Sequence, residues 1–180
     1  MFLESLTSEI VLQRFLSILL FPVNNPEFLP SLIPIFLGLA VIELYFGKYS
    51  FEQLGWNSAV SNAVLILATA LTLIVRLNLL GAPSGPRYTV AYGVLLLGLF
   101  ILIMDFYHVW PASIAFVVSS GFATYTSVYI SIAWVYDGLP LDANTLAASA
   151  LFMISFYLLF EVIQHMEEEV LPEQIYRPRD

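Results

Sequence analysis

Long apolar runs broken by short polar interruptions set the pattern of this chain. A membrane-spanning helix needs about 20 mostly apolar residues. Five stretches meet that length: Leu29 to Phe46, Asn57 to Leu80, Tyr88 to Trp110, Ala112 to Tyr136 and Ala143 to Gln164. Between them lie Gly47-Lys48-Tyr49-Ser50, the Gly- and Pro-rich stretch 81–86, Trp110-Pro111 and Asp137-Gly138-Leu139-Pro140, all poor helix continuations. Asp142 is placed to cap the last helix. Trp56, Trp110 and Trp134 fall at or near predicted span ends, where amphipathic rings favour the headgroup level.

The first 28 residues read differently. Ile10 to Phe21 is apolar except for Gln13, Arg14 and Ser17, which is short for a crossing. Ser5, Glu9, Gln13 and Ser17 form an i, i+4 polar row, so the segment is expected to be an interfacial helix, or else a re-entrant or tilted one. The predicted fold is all-α: a polytopic transmembrane bundle of about five spans over 29–166. The N-terminal element covers 1–28 and an acidic tail covers 167–180.

Composition strengthens this picture. Hydrophobic residues make up 59% of the chain and charged residues 11%, against about 25% charged in a soluble domain. A single core of 180 residues cannot hide that apolar surplus, so it must face the lipid bilayer. Soluble enzymes and disordered chains are excluded. Six Lys and Arg against fourteen Asp and Glu leave a net charge of −8, which makes nucleic acid a poor partner. No polybasic run adjoins a span. With no cysteine, disulfides and thiolate metal sites are absent. The start Met-Phe-Leu-Glu lacks a cationic leader region, so the sequence is read as mature. Lys48, Arg177 and Arg179 on one side balance Arg14, Arg76 and Arg87 on the other, leaving orientation undecided.

Ionisable groups inside spans are costly and mark candidate function. Here they are Glu43, Asp105, His108, Glu161 and His165, with the amides Asn57 and Asn62 nearby. Alternating passes bring all of them to one membrane face. The Asp105/His108 spacing is i, i+3 and the Glu161/His165 spacing i, i+4, so each pair is expected on one helix face. Carboxylates with imidazoles would suit a proton path or a divalent metal, the one cofactor type the residues suggest. Acids near span ends also reach water cheaply, and the amides suit capping and helix–helix hydrogen bonds. In the fourth span, Ala115, Ser119, Ala123, Ser127 and Ser131 form an i, i+4 small-residue stripe, expected to pack centrally in the bundle or at an oligomer contact.

Three readings of function follow. The first is a non-enzymatic structural or accessory subunit of a larger membrane assembly, partnered by other membrane subunits or by copies of itself. The second is a cation- or proton-conducting protein using the one-sided carboxylate and histidine cluster. The third is a metal-dependent membrane enzyme with the same residues as ligands and base.

Overall fold

A computed structural model describes residues 7–49, 55–81 and 85–166. Helix α1 (Ser8–Asn24) leads through a 3-10 turn, Pro26–Phe28, into α2 (Leu29–Lys48). Then come α3 (Trp56–Leu79), α4 (Pro86–Phe106), α5 (Ala112–Val118), α6 (Gly121–Asp137) and α7 (Ala143–His165). The described residues contain no strand. Five units are long and apolar enough to cross a membrane: the turn with α2, α3, α4, α5 with α6, and α7. The chain is therefore an all-α, multi-pass membrane bundle. The acidic tail at 167–180 lies outside the described residues, as do Ser5, Ser50, Arg177 and Arg179.

Local chemistry explains several boundaries. The Asp142 carboxylate accepts the Thr145 backbone N–H at 2.9 Å and so caps α7. At the other side of that corner, α6 stops on Gly138, which takes the left-handed conformation (φ 65°), and the Leu139 N–H closes back onto the Trp134 carbonyl. Proline at the first position of α4 lacks an N–H that would have no partner there.

Helix α6 is the centre of the bundle and packs on every other helix. The span containing it buries 39% of its most apolar window, against 17% for those of α2 and α7. Two glycines permit the approach of α2 to α6: a Cβ on Gly38 would sit 2.6 Å from the Tyr125 ring, and one on Gly121 would sit 2.5 Å from Ile42. With little hydrophobic force between helices in lipid, such backbone contact is what holds them together. Further along, the Tyr129 ring lies 5.2 Å from both Phe36 and Phe152, joining α2, α6 and α7 through an aromatic layer.

Both flanks of helix α1 are anchored at one end of the bundle. The Thr7 N–H before it donates to Asn144, Arg14 within it pairs with Asp142 at 3.4 Å, and Asn25 after it donates to Asp137 at 3.1 Å. Because both flanks bind the α6–α7 corner, α1 does not carry the chain across. Its buried Ile18 and Phe21 face the core, where the Tyr129 hydroxyl donates to the Ile18 carbonyl.

Two boundaries differ from the sequence expectation. The fourth span is not one helix from Ala112 to Tyr136: α5 ends at Val118 and α6 restarts at Gly121. Ser119 leaves the helical ladder and Ser120 is extended, its hydroxyl accepting the Ala123 N–H to start a new helix. The small-residue stripe is therefore divided, with Ala115 and Ser119 on the α5 side and Ala123, Ser127 and Ser131 on α6. Likewise the third span ends at Phe106 rather than Trp110. His108 consequently lies in a loop, with φ 51°, and does not share a helix face with Asp105.

Candidate functional site

The chain order gives the bundle two unlike ends. The end where α2, α4 and α7 begin carries Arg14, Arg76 and Arg87 and is here termed the arginine end. The opposite end carries Glu43, Asp105 and Glu161 and is termed the carboxylate end. Asn57, Asn62, His108 and His165 also lie there.

At the carboxylate end these residues divide into two groups. The first is built on Asp105, which is fully buried. Trp110 Nε1 donates to its Oδ1 at 2.6 Å, and Ser119 Oγ donates to its Oδ2 at 2.6 Å. The Ser119 carbonyl, freed where α5 ends, accepts Asn62 Nδ2 at 2.7 Å. A broken helix inside a membrane protein exposes backbone groups that need partners. Here Asn62 from α3 supplies one to the Ser119 carbonyl while Asp105 from α4 holds the Ser119 hydroxyl, and the network ties α3, α4 and α5 together. Beside it, the exposed His108 ring stacks on Trp56 at 4.0 Å, and Trp56 meets Phe116 edge-on at 5.2 Å. Asn57 is exposed in the first turn of α3, where its carbonyl accepts the Ser61 hydroxyl.

The second group joins α2, α6 and α7. Gln164 Nε2 donates to the Glu43 carbonyl at 3.0 Å and to Glu43 Oε2 at 3.2 Å. Glu43 shares a cavity wall with Ser120, Gly121 and Phe122 at the start of α6, where an anion is favourable. On α7 Tyr157 and Glu161 lie one turn apart. A cavity of about 740 Å³ opens beside these residues, lined by Glu43, Ser113, Phe116, Ser120, Phe122 and Tyr157 among others. His165 is exposed in the last turn of α7.

The five candidate ligands do not gather into one cluster. Among the described residues, no group of three or more His, Asp or Glu stands close enough to hold a metal ion. Trp110, Ser119 and Gln164 are the partners that sequence reading did not assign to the acids. A Gln near the end of an apolar span was the available signal for the last of them. Trp110, expected at the headgroup level, instead turns its indole N–H to Asp105.

The arginine end is fastened differently. Arg14 donates to Thr145 Oγ1 and faces the Asp142 carboxylate. Partial burial acts to raise the pKa of that carboxyl, but hydrogen bonds from Thr145 and the Arg14 charge outweigh it and hold the group below its ordinary value. Arg76, in the last turn of α3, instead lies over the rings of Phe28 and Tyr136, at 5.1 and 5.5 Å. No protein-family model, curated protein or solved structure matches this chain.

Proposed function

We propose that the chain is a non-enzymatic accessory or structural subunit of a larger membrane assembly. The observation that carries this reading is the use made of the polar side chains inside the bundle. Asp105, Ser119, Asn62, Glu43 and Gln164 all bind residues of neighbouring elements. Such groups serve as interhelical fasteners in a lipid environment. The outer helices add support: α2 and α7 keep Leu37, Val41, Leu158 and Val162 more than half exposed, an apolar surface suited to lipid and to other membrane subunits.

Native mass measurement after gentle extraction from the source membrane tests the proposal. A heteromeric mass is expected. A bare monomer, or a simple multiple of 20.2 kDa that conducts cations or protons in liposomes, would overturn it. So would a bound metal lost together with an activity in His108→Ala and Glu161→Gln.

A further inference from the structure

Arg76 occupies an unusual position among the cations at its end of the bundle. Arg14 has a carboxylate partner, whereas among the described residues Arg76 forms no ion pair. Asp137, next to Tyr136, is held by Asn25 instead. What holds the Arg76 guanidinium is a pair of aromatic rings, Phe28 and Tyr136, themselves 4.1 Å apart. Cation–π contact of this kind holds the guanidinium in place while leaving its N–H donors available.

Two grooves meet at this side chain. One, of about 570 Å³, runs along the outer face of α3 past Leu71, Val75, Leu79 and Leu80. Those four residues are 53 to 82% exposed, so the groove opens on the hydrocarbon-facing surface. The other, of about 320 Å³, lies between α2, α3 and α6 and is lined by Ser31, Ile35, Leu65, Thr69 and Tyr136 among others. Arg76 and Thr72 border both. Ser31 and Tyr136 also line the smaller groove, and among the described residues neither hydroxyl has a hydrogen-bond partner. Donors grouped around one groove with no acceptor among the described residues, one turn from a helix end and beside two apolar channels, match one chemistry. It is an anionic phosphodiester carrying two acyl chains.

We propose that Arg76, with Ser31 and Tyr136 beside it, binds the phosphate of a membrane phospholipid whose two acyl chains lie in the grooves on either side of Arg76. A bare guanidinium at this depth would meet its hydrogen-bonding needs only by reaching for water. A phosphodiester accepts two of its N–H bonds side by side. The site is independent of the subunit reading, since a protein working alone would hold the lipid in the same way.

The test uses the whole chain, delipidated in detergent and titrated with dioleoyl phosphatidylglycerol, with bound lipid counted by native mass spectrometry. The first lipid is expected to bind wild type more tightly than Arg76→Gln by about tenfold or more, the loss expected for a charge-assisted hydrogen bond. Tyr136→Phe keeps the ring stack and should weaken binding by a smaller factor. Arg87→Gln, which removes a charge at the same end, should leave it unchanged. Dioleoyl glycerol, with the chains but no phosphate, and glycerophosphate, with the phosphate but no chains, should each compete poorly. Equal binding by Arg76→Gln and wild type would overturn the proposal, as would equal weakening by Arg87→Gln. Competition by glycerophosphate at the lipid's own concentration would show a free-phosphate site and overturn the phospholipid assignment. If Arg76→Gln does not fold, an unchanged affinity in both Tyr136→Phe and Ser31→Ala overturns it instead.

Discussion

Asp105 and Arg76, at opposite ends of the bundle, are held in opposite ways. At the carboxylate end, the buried Asp105 is satisfied inside the chain by Trp110 and Ser119, and Glu43 is held by Gln164. At the arginine end, Arg76 rests on two rings and has no acceptor for its donors among the described residues. An acid without a lysine or arginine nearby must be held by neutral donors, and these have to come from neighbouring helices. An arginine at a helix end needs no such arrangement, because its long stem reaches the headgroup region. The lesson is that a charged residue in a span can serve the fold at one end and remain open to the surroundings at the other.

Substitutions should separate the ends by size of effect. Asp105→Ala is expected to be the most damaging, since it leaves the Trp110 N–H and the Ser119 hydroxyl without their acceptor. A loss of about 3–5 kcal/mol in unfolding free energy, read by denaturant titration in micelles, follows from two stranded donors and a cavity. A loss below about 1 kcal/mol would remove the contrast between the ends. Next in size is Gly121→Ala, which drives a methyl to 2.5 Å from Ile42 and should cost about 1–3 kcal/mol in the same assay. A neutral result there would mean that α2 and α6 separate easily.

Smaller effects are expected at the arginine end. Because the Asp142 carboxyl is held below its ordinary value in the folded chain, its stabilisation is complete above the ordinary carboxylate range. It is lost as pH falls through that range to the folded value. Its partial exposure limits this to less than about 1 kcal/mol. The stability gap between wild type and Asp142→Asn should therefore shrink as the pH is lowered from neutral, and a gap that widened would reverse the sign. Arg76→Gln should cost only about 0.5–1 kcal/mol in unfolding free energy, since among the described residues it breaks no hydrogen bond or ion pair and loses only the cation–π contacts with Phe28 and Tyr136. A large loss would make Arg76 a fastener like Asp105.

Much of this architecture could be read from the pattern of residues. Span ends at Leu79, Ala143 and His165 fall within a residue of those inferred from hydropathy, because apolar length and turn chemistry act locally. The Asp142 cap was legible for the same reason. The break at Ser119 and Ser120 was not. Two serines inside an apolar run fit a small-residue packing stripe equally well, and what opens the helix is a set of partners on α3 and α4 that lie far away in sequence. The end of α4 was missed for a related reason: the loop after Phe106 folds back so that Trp110 reaches Asp105, five residues earlier. Apolar length could place every candidate acid near one end, but not decide which neighbours would hold each one.

The most direct test of the fastening account is a double-mutant cycle on Asp105 and Ser119, measured as unfolding free energy in micelles with Asp105→Ala, Ser119→Ala and the pair. The account predicts a coupling of about 1 kcal/mol or more, so that the double variant is less damaged than the sum of the two single ones. Strict additivity, with Asp105→Ala folding as stably as wild type, would contradict it.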